Sequence, residues 1–427
     1  MRVATCRALA GSLLMLSAAA LSACGGSSGA TSASSENASV TGGGKVVDVY
    51  SSLPMSGPSA PQTVALLGGI RLALAQAGGR AGPFAVKYTS LDDSSDASGW
   101  DASQTAANAR KAAADPRAVY YIGEFDDDAS EVSMPILNEA GIPQVSPSNT
   151  YIGLTTDDPG SASGEPRRFW PTGTRTYLRI VPSDAVQSDA VLEAMKQAGC
   201  AKVAVVSDDE PYGTGMARLI ELDKRLYGVN VVSDTGIDQS AEGVGSYTER
   251  VRRELPDCFL LAAVVSRSAV RLTQEVHAAL PRARIFAPAG MCTSSWTNPR
   301  KGGVAAGIDP LIECTEVTRS LAAYPGGQSF LAAYRARYGA ADPNPYEILG
   351  YEAMKLGLST IASLGTNGDS KSAVLSALFH TTARHSVLGT YGFDRDGDTT
   401  MRSYGLYKVG PSGDPEFVKT ITPPRAL

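Results

Sequence analysis

The strongest constraint on this fold is an alternation that runs through the chain twice. From residue 46, β-rich runs and helical runs take turns. Strands are expected over 46–50, 84–91, 118–122 and 143–146. Between them fall helices over 61–77, with apolar spacing at Val64, Leu67, Ile70 and Leu74, then 100–114 and 130–140. Parallel strands need a crossover between each pair and helices supply it, so this order predicts a parallel sheet covered on both faces. A stretch rich in Gly, Pro, Asp and Ser, residues 149–176, interrupts the pattern. It restarts with strands over 202–207, 230–237, 258–265 and 284–289, separated by helices over 213–226, 247–254 and 268–279. The expectation is an α/β protein with two doubly wound lobes. The remainder, 313–427, holds a strand, helices over 327–338, 346–363 and 370–379, and a terminal β pair, "MRSYGLYKV" and "PEFVKTI". That is too little for a third domain and reads as completing the two lobes.

Ahead of the first strand the composition changes. Arg2 and Arg7 precede an apolar run over 8–20 that is too short to span a bilayer, which reads as a signal peptide over 1–23. It ends in Leu21-Ser22-Ala23-Cys24-Gly25, which looks like a bacterial lipobox with Cys24 as the lipidated residue. Residues 24–45, nearly all Gly, Ser, Thr and Ala, cannot bury enough apolar area to offset their ordering entropy and read as a flexible tether. The expected location is therefore extracytoplasmic, anchored by lipid to the outer face of the cell membrane.

The formal charge of −5, with no cluster of Lys or Arg, argues against a nucleic-acid partner. Beyond Cys6 and Cys24 four cysteines remain, with no zinc-like spacing, in a compartment that permits disulfides. Cys200 and Cys258 open strands expected to be neighbours, which predicts one bridge; Cys292 and Cys314 would close the irregular segment between two further strands. No metal or cofactor is expected. The three histidines, His277, His380 and His385, have no partnered nucleophile, no GxSxG elbow stands between a strand and a helix, and no GxxxxGK[ST] loop occurs, so no enzyme is expected. "DRDGDT", 394–399, lacks the glycine and glutamate of a calcium loop and reads as a turn.

Five segments in order, "SLPMSGPSAPQTVALLGGIRLALAQAGG", "NEAGIPQVSPSNTYIGLT", "DDEPYGTGMA", "YEILGYEAMKLGL" and "SVLGTYGFDRDGDTT", together resemble branched-chain amino-acid ABC-transporter binding proteins. The irregular segment looks like the form in actinobacterial members. The resemblance implies a type I periplasmic-binding-protein fold whose chain crosses between lobes near 179–182, 316–318 and 390–393. Lobe 1 would be 46–180 plus 318–390, and lobe 2 would be 181–317 plus 391–427. It implies a monomer that captures a small polar ligand in the interlobe cleft and delivers it to an ABC permease. A lipid-anchored sensor that signals through a membrane partner is the second function class this fold allows.

Carried over residue by residue, the ligand-binding positions fall on Asp126, Asp127 and Ser130 after the third strand, Ser148 and Thr150 in "SPSNT", and Tyr212 closing from the second lobe. Where amino-acid binders carry an acid for the ligand ammonium, this chain has Ala289 in Ala287-Pro288-Ala289-Gly290. A buried ammonium without a carboxylate is costly, so this substitution argues against leucine, isoleucine or valine. The run "GEFDDDAS", 123–130, has two readings. Asp128 with Glu131 three residues on makes a capping box; Asp126 and Asp127 face the cleft and replace the missing acid from the other lobe.

Overall fold

A computed structural model describes residues 44–424 except 97–98, 238–244 and 340–341. The signal segment, Cys24 and the tether as far as residue 43 lie outside the described residues.

The first half contributes β1 (Val46–Leu53), α1 (Ala60–Gln76), β2 (Arg80–Ala81), β3 (Phe84–Asp92), the small antiparallel pair β4 (Ser94–Asp96) and β5 (Gly99–Trp100), α2 (Ala102–Ala113), β6 (Ala118–Ile122), α3 (Asp127–Glu139), β7 (Gln144–Ser146) and β8 (Tyr177–Arg179). Six of these strands form one sheet in the order β2-β3-β1-β6-β7-β8, parallel but for β2. The chain then enters α4 (Asp184–Gln197), β9 (Lys202–Ser207), α5 (Pro211–Asp223), β10 (Asn230–Gly236), α6 (Gly245–Arg253), β11 (Cys258–Ala262), α7 (Arg267–Ala279), β12 (Arg284–Ala287), α8 (Ser294–Thr297) and β13 (Ile312–Glu316). These strands begin a second, parallel sheet.

The C-terminal residues serve both sheets. They form α9 (Gly327–Tyr338), α10 (Glu347–Ser363), α11 (Lys371–Phe379), the hairpin β14 (Arg384–Ser386) and β15 (Gly389–Tyr391), then β16 (Tyr404–Val409) and β17 (Pro415–Ile421). β16 and β17 add antiparallel to β13, giving the order β10-β9-β11-β12-β13-β16-β17. α10 returns to the first sheet, where Tyr120 donates to the Ala353 carbonyl at 2.9 Å and Tyr351 to Gln76 at 2.6 Å. Its approach to α1 is backbone against backbone. A Cβ on Gly69 would stand 1.9 Å from the Glu347 carbonyl oxygen, and one on Gly350 2.0 Å from that of Leu66, so both helices need glycine at the crossing.

Both expected disulfides are present, Cys200–Cys258 with Cα atoms 5.7 Å apart and Cys292–Cys314 at 5.5 Å. The first joins the starts of adjacent strands, since Cys258 pairs with Val203 in the β9–β11 register. The irregular segment 149–176 is packed rather than loose: Tyr151, Ile152, Leu154 and Phe169 form a buried cluster with Met134 of α3 and Leu219 of α5. It thus touches a helix from each half of the chain. The "DRDGDT" segment is a tied turn, in which Asp394 accepts from the Asp396 and Asp398 amides at 2.9 and 3.0 Å.

One local expectation is corrected. α3 begins at Asp127, three residues earlier than the pattern suggested, and its N-cap is Asp126, whose side chain makes no capping bond. Asp128 lies in the first turn, so it is not the cap and no capping box forms with Glu131. Acidic side chains in a first turn are favoured by the helix dipole, which lets the helix start inside the aspartate run.

Candidate functional site

In open α/β sheets the carboxyl ends of the strands are where ligands bind, and here those ends carry the polar loops. On the first sheet the loops after β6 and β7 are stitched into one unit. Ser130 Oγ donates to Asn149 Oδ1 at 2.6 Å and accepts from the Glu124 amide at 3.2 Å. Ser148 Oγ and Asn149 Nδ2 both donate to the Phe125 carbonyl at 2.9 Å, and Ser146 Oγ donates to that of Glu124 at 2.9 Å. Asp127 Oδ1 accepts the Thr150 and Tyr151 amides at 3.0 and 3.1 Å.

This network alters the standing of several expected ligand contacts. Ser130 is fully buried and engaged, Ser148 holds a carbonyl, Thr150 is buried with its amide on Asp127, and Asp127 closes the neighbouring loop. These four shape the wall. Asp126 differs from them, because its Oδ2 is buried and has no hydrogen-bond partner.

Two further carboxyls lie close to Asp126. Asp93, just past β3, and Glu124, just past β6, are both fully buried and lie within hydrogen-bonding reach of each other. Ser52 Oγ donates to Asp93 at 3.3 Å and Tyr121 to Glu124 at 2.8 Å, while Asp93 Oδ1 and Glu124 Oε2 have no other donor. Two facing carboxyls are stable only when a proton sits between them. Burial raises Asp93 to about 6, and burial with the neighbouring Asp93 charge pushes Glu124 well up. Burial, then the charges of Asp93 and Asp128, raises Asp126 to about 7. Among the described residues no Lys or Arg forms an ion pair with any of the three.

On the second wall Asp208 ties the loops after β9 and β11 together, accepting the Glu210 and Val264 amides at 3.2 and 3.0 Å. Tyr212, in the first turn of α5, accepts the Gly290 amide at 3.2 Å and reaches Gln187 Oε1 of α4 at 3.5 Å. A Cβ on Gly290 would come within 2.8 Å of the Ala263 carbonyl oxygen and 2.9 Å of the Tyr212 ring, so the turn after β12 must be glycine there. Ala289 stands beside it on the lip and presents no polar group. Burial and then the charge of Asp184, followed by those of Asp127 and Glu316, disfavour ionisation of Tyr212, which puts this phenol among carboxyls of both halves. At the mouth, Asp128 of α3 faces Glu210 ahead of α5, a like-charge pair that adds to burial in raising Asp128.

At the crossing after β13, Glu316 accepts from Tyr346 at 3.0 Å and from the Val317 amide at 2.7 Å, and burial raises it to about 7. The Tyr346 ring meets Phe125 at 5.8 Å. The buried guanidinium of Arg179 is fully engaged, with Asp398 at 2.5 Å, the Tyr151 carbonyl at 2.7 Å and Thr155 at 2.5 Å. The site therefore offers carboxyls, three aromatic rings and no uncommitted cation among these residues. Asp93, Glu124, Glu316, Phe125 and Tyr346 were missed as site residues in sequence; "LDD" at a strand end, "GEF" and the tyrosine opening "YEILGYEAMKLGL" were the available signals. The one cluster with metal-ligand spacing among the described residues is Cys200, Asp257 and Cys258, whose sulfurs are joined to each other.

Comparison with known proteins agrees with this architecture. A family model described as periplasmic binding protein matches residues 51–414. An amino acid binding protein of Pseudomonas aeruginosa is 22% identical over 335 residues, covering 77% of this chain and 80% of its own length. The crystal structure of a leucine binding protein from Thermotoga maritima superposes with a TM-score of 0.69 at 20% identity, over 88% of this chain and 99% of that one. A solute binding protein of an ABC transporter from R. palustris, in complex with benzoate, gives 0.66 at 18% identity, over 88% and 97%. At these identities the structural likeness shows a shared fold, two doubly wound lobes joined by three crossings.

Proposed function

This chain belongs to the periplasmic binding protein family, and from that premise we propose that it captures a small cationic solute between its lobes and delivers it to an ABC permease. The observation that carries the reading is Asp126, whose buried Oδ2 lacks a partner, beside the proton-sharing pair Asp93 and Glu124, with no cation paired to any of the three. A ligand ammonium or guanidinium would satisfy these oxygens, draw the proton from the Asp93–Glu124 pair and stack on Phe125 and Tyr346. A ligand carboxylate has no comparable place. The start of α3, which would attract one, is filled by Asp126, Asp127 and Asp128. The Pseudomonas relative is named for amino acids and the R. palustris protein holds benzoate; the acids after β6, together with Ala289, argue for a different head group here.

The export signal and Cys24 support delivery from a monomer tethered by lipid outside the cell membrane. No helix among the described residues is long and apolar enough to cross a membrane. A thermal-shift screen of the mature chain against amino acids, amides, polyamines, aromatic acids and sugars tests the reading, since ligand binding raises the melting point with the logarithm of concentration over Kd. Amines without a carboxylate should give the largest shifts and leucine, isoleucine and valine none. A strong shift with any of those three would overturn the cationic assignment.

A further inference from the structure

Away from the acid-lined wall, all three crossings between lobes border one cavity of about 280 Å³. Val181 comes from the first crossing, Val317 and Arg319 from the second, Leu388 from just before the third, and Leu349 and Arg402 from α10 and the segment ahead of β16. The volume is just under the roughly 300 Å³ at which ligand pockets begin. Its lining mixes aliphatic side chains with the Tyr324 ring, the two guanidiniums and a few hydroxyls, and contains no carboxylate.

Both guanidiniums are incompletely satisfied. Arg319 Nε is buried with no acceptor, its Nη2 makes a 3.4 Å contact to the Leu388 carbonyl, and its guanidinium lies 4.1 Å over the Tyr324 ring and within hydrogen-bonding reach of that hydroxyl. No carboxylate lies within 4.0 Å of it among the described residues. Arg402 Nε is likewise buried without an acceptor, although its Nη2 bonds Asp189 at 3.2 Å and the Pro424 carbonyl at 3.0 Å. Buried N–H groups left unpaired are rare and costly, and a stacked guanidinium is pre-organised for a planar anion.

We propose that this hinge cavity is a second ligand site, separate from the acid-lined cleft, for a small organic acid whose carboxylate meets Arg319 and Arg402 while its apolar body fills the aliphatic remainder. Because the walls are the crossings themselves, an occupant touches every segment that moves when the lobes close. The two sites take opposite charges, so the failure of one assignment leaves the other standing.

Isothermal titration of the mature chain with cyclohexanecarboxylate tests the site, with the neutral cyclohexanecarboxamide as control. The acid should bind one to one and the amide at least tenfold more weakly. Arg319→Gln and Arg402→Gln should each weaken the acid tenfold or more, Arg319→Lys should recover part of that loss, and the cleft variants Asp126→Asn and Tyr212→Phe should leave it unchanged. Circular dichroism melts check that each variant folds; should Arg319→Gln not fold, Arg402→Gln and Arg319→Lys carry the comparison. Absence of binding by wild type, equal binding of acid and amide, loss in the cleft variants, or retention within twofold in the arginine variants would each overturn the proposal.

Discussion

The two walls of the cleft share one device, an aspartate that accepts two backbone amides, and differ in what surrounds it. The wall after β6 and β7 is held by side chains hydrogen-bonded to neighbouring backbone, with Ser130, Ser146, Ser148, Asn149 and Asp127 joining two loops. On the opposite wall, after β9, β11 and β12, Asp208 accepts the Glu210 and Val264 amides at 3.2 and 3.0 Å and Tyr212 accepts that of Gly290, while the sheet behind it carries both disulfides. A wall crowded with polar side chains can hold buried charge, because dipoles are already aligned around it; a wall whose tied loops present glycine, alanine and one tyrosine can approach closely and cover a ligand. The asymmetry matches a receptor in which one lobe reads the ligand and the other closes on it.

If the sheets are stabilised by different means, the largest effect should come from the longer cross-link. Replacing Cys200 and Cys258, 58 residues apart, with serine should cost about 4 kcal/mol if the bridge acts mainly on the unfolded chain, and the 22-residue Cys292–Cys314 loop about 3 kcal/mol. Urea denaturation followed by intrinsic fluorescence checks this. The second sheet should melt ahead of the first in the Cys200/Cys258 variant, and a single unshifted transition would remove the contrast between the lobes.

The network on the opposite wall should fail in a different way. Asp127→Ala strips an acceptor from two amides and should cost about 2–3 kcal/mol, whereas Asp127→Asn keeps an oxygen there and should cost less. Either variant, once folded, should bind ligand with an altered affinity rather than lose it, because Asp127 shapes the loop. Urea midpoints and titration of the best amine from the screen separate the two effects. Loss of all binding in a well-folded Asp127→Asn would return this residue to direct ligand contact.

The sheets were legible because a doubly wound fold repeats one signal many times, so a strand misjudged by two residues leaves the order intact. The start of α3 was less legible: aspartates are good caps and good first-turn residues, and only the backbone decides between Asp126 and Asp128. The facing of Asp93 and Glu124 was hidden for another reason. Their strands, β3 and β6, are separated by β1 in the sheet, and no local pattern reports which strand lies between two others. Ser130, Ser148 and Thr150 were found as loop residues from the family resemblance, yet a sequence does not reveal whether a hydroxyl turns to a ligand or to the next loop. Ala289 was legible as a departure because it removes a charge.

pH should act on the acid wall. Asp126 rises to about 7 from an ordinary aspartate value when the chain folds, so the folded state holds its proton more tightly than the unfolded state. Such a group costs nothing below the unfolded value, destabilises progressively as pH rises from about 4 to about 7, and costs a constant amount above that. Asp93 and Glu316 shift the same way, to about 6 and about 7. Wild type should lose stability between about pH 4 and about pH 7, and Asp126→Asn should reduce that slope and raise the urea midpoint at pH 8. Affinity for an amine should run oppositely, rising several-fold from pH 6 to pH 8 as the carboxyls ionise.

Tyr212→Phe should give the smallest stability effect and is the sharpest probe of the covering wall. It removes the acceptor for the Gly290 amide at 3.2 Å and the long contact to Gln187, which together should cost about 1 kcal/mol or less. The ring remains and still packs against the Gly290 turn. A ligand held mainly by the acid wall should lose only a few-fold in affinity, chiefly through faster dissociation, because a covering residue slows escape more than it speeds arrival. Stopped-flow association and dissociation rates for the amine decide the matter: an unchanged dissociation rate with a slower association would mean that Tyr212 acts before closure, and the division of labour between the two walls would have to be redrawn.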